Sequence, residues 1–214
     1  GDRVVVGAWF AASASLPIGS GQISCYEFTN GSWNQLGNYI NGEATFDYFG
    51  ISSAINASGN IIAGGAYHND GINGYNSGHV RVYEYIAGVW TQLGNDIDGE
   101  APDDRCGWSV SLNNSGYRVA VGSPQNDGNG FNSGSARVYD WNGTSWSQVG
   151  SDINGEAVGD HSGNSVSLNA SGNILAVGAI YNQDNGSNSG HVRVYEYIGN
   201  SWVQMGGDID GEAA

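Results

Sequence analysis

The sequence contains no lysine. Its six basic residues are all arginine, set against 21 Asp and Glu, so the formal charge is −15 and the pI is near 4.2. A nucleic-acid surface needs a clustered basic footprint, which makes DNA and RNA poor partners. An anionic membrane surface is disfavoured on the same ground. No apolar run approaches the ~18 residues that a spanning helix needs, so no membrane insertion is expected. Proline is scarce (3) and there are two cysteines, Cys25 and Cys106. They fall at different repeat positions, and two buried free thiols are expected rather than a disulfide. No segment has a helical period. What is abundant is glycine (36), with many Asn and Ser, the residues of tight turns. With 39% hydrophobic and 11% aromatic residues the chain can bury a core.

The 214 residues are organised by a repeat. SGHVRVYEYIGNSWVQMGGDIDGEA at 189–213 recurs as SGHVRVYEYIAGVWTQLGNDIDGEA at 77–101 and SGSARVYDWNGTSWSQVGSDINGEA at 133–157. An eroded copy, SGQISCYEFTNGSWNQLGNYINGEA, stands at 20–44. Trp33, Trp90, Trp146 and Trp202 mark one position, with separations of 57, 56 and 56. A fixed period of this kind signals one supersecondary unit copied along the chain.

Four strand signals fill each unit. Strand two is a short apolar run after a glycine turn: GDRVVVGAW from Gly1, GNIIAGGAY from Gly59, GYRVAVGSP from Gly116 and GNILAVGAI from Gly172. A polar loop follows, then strand three with its β-branched alternation, as in SGHVRVYEY. Asn30-Gly31 and Asn142-Gly143 are expected to form two-residue type I′ turns into strand four, which carries the tryptophan. After a second polar loop, FGISSAINASG (49–59), CGWSVSLNNSG (106–116) and SGNSVSLNASG (162–172) give strand one. The expected fold is all-β, a β-propeller of four-stranded antiparallel blades of about 56 residues. The expected domain is one propeller region over 1–214, with units of approximately 1–46, 47–103, 104–159 and 160–214. The first unit lacks its own strand one, so the region is expected to be part of a larger propeller or a longer chain, completed by further blades or by copies of the same chain.

Phe49-Gly50 followed by Gly65-Ala66 resembles the FG-GAP repeat of integrin alpha-subunit propellers and of many secreted microbial proteins. Gly107 with Gly122-Ser123-Pro124, and Gly163 with Gly178-Ala179, repeat it more loosely, and Gly7-Ala8 supplies its second half. The resemblance implies an extracellular or cell-surface propeller without enzymatic activity, serving adhesion, protein–protein interaction or structural assembly. A lectin-like glycan-binding module and a polysaccharide-acting enzyme domain are the alternatives. The Asp-rich calcium loop that many such repeats carry between strands one and two is replaced here by Asn56–Asn60, Asn113–Tyr117 and Asn169–Asn173, which hold no carboxylate.

Antiparallel order puts the two-to-three loops and the four-to-one loops on one face, and most of the acids lie there. Arg105 is the one basic residue within those loops. Local turn capping is the favoured reading of the recurring acids. No cofactor is required on this reading. Calcium is the alternative, with Asp96, Asp98, Glu100 and Asp104 as the densest cluster. Asp70, Tyr75, Asp127, Phe131 and Asp184 are candidates for a ligand face that would meet a protein or glycan. The four histidines are read as solvated, and Arg81, Arg137 and Arg193 as pairing with neighbouring strands or blades. Sequons at Asn30, Asn56, Asn113, Asn142, Asn169 and Asn185 would be glycosylated only in a eukaryotic secretory pathway.

Overall fold

The computed structural model describes residues 1–12 and 16–212; part of the first two-to-three loop, 13–15, and the last two residues lie outside them. Among the described residues every regular element is a strand. The first blade is β1 (Arg3–Ala8), β2 (Gln22–Thr29) and β3 (Ser32–Asn41); the second is β4 (Ser52–Ile55), β5 (Ile61–Ala66), β6 (His79–Ile86), β7 (Val89–Gln92) and β8 (Ile97–Asp98). The third is β9 (Ser109–Leu112), β10 (Arg118–Ser123), β11 (Ser135–Trp141), β12 (Trp146–Gln148) and β13 (Ile153–Asn154). The fourth is β14 (Ser162–Leu168), β15 (Ile174–Ala179), β16 (His191–Ile198), β17 (Ser201–Gln204) and β18 (Ile209–Asp210). The sheets are separate and antiparallel, in the orders β1-β2-β3, β4-β5-β6-β7, β9-β10-β11-β12 and β14-β15-β16-β17. This is the blade architecture that the period implies, including the first blade without a strand one.

Two details differ from the sequence reading. The short strands β8, β13 and β18 were not foreseen; each pairs with strand three of its own blade, on the side where strand four has already ended. The hairpin at Asn142 is also not a type I′ turn. Asn30 and Gly31 do have the left-handed φ values that such a turn requires, 54° and 79°. Asn142 does not; its side-chain oxygen instead accepts from the Thr144 and Ser145 amides in a longer loop.

The core lies between blades. Ile23, Cys25 and Ile40 of the first blade pack with Phe49, Ile62 and Trp90 of the second. Ile61, Ala63, Val80 and Val82 of the second pack with Cys106, Val119 and Val121. Ala120, Ala136 and Val138 of the third pack with Leu175, Val177 and Tyr195. A blade has two faces and needs a neighbour on each to dry them. Both cysteines are free and buried, as expected, and burial pushes each thiol up to about 12.

Each junction is built from the repeated residues. The N–H of Phe49, Cys106 or Ser162 donates to the carbonyl of Ser20, Ser77 or Ser133 in the preceding blade, at 2.9–3.0 Å. The indole Nε1 of Trp90, Trp146 and Trp202 donates to the carbonyl of Leu36, Leu93 and Val149 of the preceding blade, at 2.8–2.9 Å. Trp33, at the same position in the first blade, is half exposed, at 50%. It packs on Phe28 within its own sheet, so it is not the inter-blade anchor that its three counterparts are.

Candidate functional site

The recurring acids of the loop face are mostly structural. Asp47 Oδ2 accepts from the Ala44 amide at 2.8 Å and from Asn69 at 3.1 Å. Asp104 accepts from the Glu100 and Ala101 amides and from Asn126, and Asp160 from the Ala157 amide and Asn182. All three are buried. Two strand-three arginines, rather than Arg105, pair with four further acids of this face. Arg81 pairs with Glu43 across the junction and with Asp96 at 3.0 Å in its own blade. Arg137 does the same with Glu100 and Asp152.

The four residues grouped above as a calcium site therefore do not gather at one point, although Asp96 and Asp98 line one cleft. Asp96 belongs to the Arg81 network, Glu100 to the Arg137 network and Asp104 to a loop cap. Asp98 lines a cleft of about 870 Å³ between the first and second blades, together with Asp70 and Tyr75 of the expected ligand face. Burial and the nearby Asp96 charge raise the Asp98 carboxyl above its usual range. Asp127 holds its own loop by accepting from the Asn132 amide, Phe131 is exposed on that loop, and Asp184 stands in the fourth blade. Of the sequons, Asn56 is buried and its amide is engaged by Ser58, Asn60 and the Ser115 carbonyl, which leaves no room for a glycan. The Asn185 amide donates to the Gly211 carbonyl. Asn30 and Asn142 are exposed, and Asn113 and Asn169 half-buried.

The histidine expectation is corrected for two of the four: His79 and His191 are buried. Burial and the neighbouring Arg81 guanidinium hold the His79 imidazole down to about 4, against the opposing pull of Asp96 and Glu43. A folded-state pKa below the unfolded value means that the unfolded chain binds the proton first. The neutral imidazole therefore contributes stability that is full above about 6.5 and is lost as pH falls toward 4. Relative to a His79→Ser variant, the chain should lose about 3 kcal/mol more between pH 7 and pH 4. Urea unfolding of both proteins at the two pH values measures this, and parallel pH profiles would contradict it.

The asymmetry that chemistry requires appears at the inner mouth, where β4, β9 and β14 lie against one another in sequence and β1 lies against β4. Tyr48, Arg105 and His161 occupy one repeat position, immediately before Phe49, Cys106 and Ser162. All three take left-handed φ, at 58°, 57° and 55°. A side-chain-bearing residue held there costs of order 1–3 kcal/mol and persists only where its surroundings enforce it. Here their amides are fixed by the carbonyls of Gly19, Asn76 and Asn132 at 2.9–3.2 Å. One backbone shape thus presents three different side chains.

Around them runs an aromatic wall. Ring centroids are 5.4 Å apart for Trp9–Tyr48, 5.6 Å for Tyr48–Tyr67, 4.8 Å for Tyr67–Trp108 and 4.9 Å for His161–Tyr181. A cavity of about 260 Å³ opens among Arg105, Trp108, Gln125, His161, Asn164 and Tyr181. The Arg105 guanidinium lies over Tyr67, 5.8 Å from its centroid, and its Nε is buried without a hydrogen-bond partner. Burial, then Arg105, lowers the His161 imidazole below its ordinary value, leaving it neutral at pH 7. Sequence reading passed over this site. The signal available was non-repetition: between the constant Asp and Gly of Asp-Tyr-Phe-Gly, Asp-Arg-Cys-Gly and Asp-His-Ser-Gly both residues change in every copy, and the first of the two is the one at the mouth.

The model for the FG-GAP repeat matches residues 97–139 and 154–195. The chain carries FG-GAP repeats. No curated protein matches the sequence at a significant level. Among solved structures, this FG-GAP chain is similar over its whole length to a candidate 6-phosphogluconolactonase from Bacteroides uniformis, at 10% identity and a TM-score of 0.65, covering 56% of that chain. It is similar over 99% of its length to the periplasmic gluconolactonase PpgL of Pseudomonas aeruginosa, at 14% identity and a TM-score of 0.60, covering 54% of that chain. Over 89% of its length it is similar to the hydrazine synthase of Kuenenia stuttgartiensis, at 10% identity and a TM-score of 0.55, covering 43% of that chain. At these identities the likeness is one of fold, and the FG-GAP chain spans about half the length of these structures.

These likenesses correct the expectation of a non-enzymatic module for adhesion, protein–protein interaction or assembly, and its lectin-like and polysaccharide-acting alternatives go with it. The repeats mark a propeller, and propellers of this shape include proteins described as lactonases.

Proposed function

We propose that the FG-GAP propeller is a hydrolase for a small polyhydroxylated lactone, with its site at the inner mouth. The observation that carries this reading is the facing of Arg105 and His161, from one repeat position, across a cavity walled by Trp108 and Tyr181. The lactonases of similar fold support the substrate class. Aromatic faces suit a sugar-derived ring. Water attacks the ring ester carbonyl while neutral His161 takes its proton, and Arg105, whose Nε has no partner, holds the charge that develops on the carbonyl oxygen. The bond from acyl carbon to ring oxygen then breaks, and the imidazolium returns its proton to that oxygen. The product is the open hydroxy acid. A location outside the cytoplasm belongs to the same proposal, supported by the repeats and by the periplasmic neighbour.

Following acid release from glucono-δ-lactone with a pH indicator tests it. His161→Ala and Arg105→Met are each expected to lower kcat/KM by about 100-fold or more. The rate should rise with pH as the imidazole loses its proton and level off at a midpoint below the ordinary histidine value. A rate no greater than spontaneous hydrolysis, or full activity in His161→Ala, would remove the assignment.

A further inference from the structure

We propose that Glu156, Asp184, His191 and Asp208 form a binding site for a divalent first-row transition-metal ion, apart from the inner mouth. Each offers one ligand atom, and the four atoms lie within 4.8 Å of one another. Comparison of this place across blades shows what is special about the fourth.

In the second and third blades the equivalent carboxylates are occupied by arginine. Arg81 binds Glu43 and Asp96, and Arg137 binds Glu100 and Asp152. In the fourth blade Arg193 turns aside. Its NH2 donates to the Asn154 carbonyl at 2.7 Å, and its one approach to a carboxylate is NH1 to Glu156 at 3.4 Å. Asp208 has no arginine partner among the described residues; it accepts from Gln204 at 2.6 Å.

The loop before strand three has also changed. The Asp184 amide donates to Asn182 Oδ1 at 3.0 Å, as the Gly128 amide donates to Asn126 Oδ1 at 2.9 Å. Asp184 therefore stands where the third blade has glycine. A Cβ built on Gly128 would point at Asn154 Oδ1, 2.7 Å away, and one on Gly71 at Asp98 Oδ1, 3.1 Å away. Side chains at this position face the short strand that follows strand four, and in the fourth blade the substitution puts the Asp184 carboxylate in the cluster. In the third blade the acid sits one place earlier, as Asp127, and caps its own loop.

The observation that points to a ligand is His191. Its side chain has no exposed surface, yet neither ring nitrogen has a hydrogen-bond partner. Nδ1 lies 3.2 Å from Asp208 Oδ2 and 3.8 Å from Glu156 Oε2. A buried imidazole with two unsatisfied nitrogens costs free energy unless something fills the gap. A cation also relieves the mutual repulsion of three carboxylates whose one arginine contact is Arg193 to Glu156 at 3.4 Å. Imidazole with carboxylates is a ligand set for zinc, manganese and their neighbours, whereas calcium takes oxygen alone. Glu156 and Asp184 are exposed, which gives an ion a way in from solvent.

The test uses the full chain stripped with chelator and titrated with Co²⁺, followed by its visible absorption, and with Zn²⁺ by calorimetry. One ion should bind per chain, with the unfolding midpoint rising as metal is added. His191→Ser and Asp184→Gly install the residues of the third blade, Ser135 and Gly128, so both variants should fold. Each is expected to weaken binding at least 10-fold, while His79→Ser leaves it unchanged. Absence of saturable binding, or wild-type affinity in either fourth-blade variant, overturns the proposal.

Discussion

Trp90→Ala is expected to cost about 3–5 kcal/mol of folding free energy, while Trp33→Ala, at the same repeat position, costs under about 1 kcal/mol. The difference is the preceding blade. The Trp90 indole is buried among Ile23, Ile40, Phe49 and Ile62 of the first junction core. Its Nε1 donates to the Leu36 carbonyl at 2.9 Å. It sits over Gly37, where φ is 74° and an added Cβ would fall 2.8 Å from the indole ring. Removing it leaves a cavity at a junction and an unpaired carbonyl. Trp33 keeps half of its surface exposed and packs on Phe28 within its own sheet, so truncation there removes a surface contact and opens no cavity at a junction. Urea denaturation of the two variants decides the matter. Equal costs would mean that the tryptophans stabilise their own hairpins rather than the seam between blades.

Gly122→Ala is expected to cost about 3 kcal/mol or more, at or beyond the upper end of overpacking penalties, and Gly178→Ala about 1 kcal/mol or less. Both glycines hold one position of the repeat. A Cβ on Gly122 would stand 1.9 Å from the Gly163 carbonyl oxygen, and Gly7 and Gly65 meet the carbonyls of Gly50 and Gly107 at 2.0 and 1.9 Å. These are backbone atoms, so relief requires moving a blade. On Gly178 the nearest atom is the Ser165 hydroxyl, 2.5 Å away, which can rotate clear. The paired glycines of the FG-GAP repeat thus have a direct physical reason. The glycine of strand two in one blade touches the glycine that opens strand one in the next, and neither can carry a side chain. Thermal and urea unfolding of the two variants should differ by several degrees or more; similar behaviour would refute close contact at the third junction.

The period, the four strands and the placement of turns were legible because each copy obeys the same packing rule, and a rule applied at every blade leaves a repeated residue. Trp90, Trp146 and Trp202 show this, and so do Gly65 and Gly122. Trp33 shows the limit of the rule: the residue repeats, but no preceding blade stands against it among the described residues, and it packs on Phe28 of its own sheet. The capping role of Asp47, Asp104 and Asp160 could be anticipated from their recurrence. The burial of His79 and His191 could not, because the alternation of strand three does not show that the next loop closes over its first residue. The inner mouth was invisible for the opposite reason to the junctions. Tyr48, Arg105 and His161 do not resemble one another, so averaging over copies erases them. Asp184 was grouped with Asp70 and Asp127 as one ligand face, whereas it stands one place later in its loop, at the position of Gly128, and so joins the His191 cluster.

The junctions have a further consequence for how such a chain can change. A seam made of a glycine against a carbonyl, an indole against a carbonyl and an amide against a serine carbonyl asks nothing specific of the particular blades it joins. Tandem duplication or loss of a whole unit of about 56 residues would recreate the same seam at the new boundary without compensating substitutions. The residue just before the Phe-Gly position is none of these three contacts, and it already differs in every copy, as Tyr48, Arg105 and His161. Array length and the chemistry displayed at the mouth can therefore evolve independently.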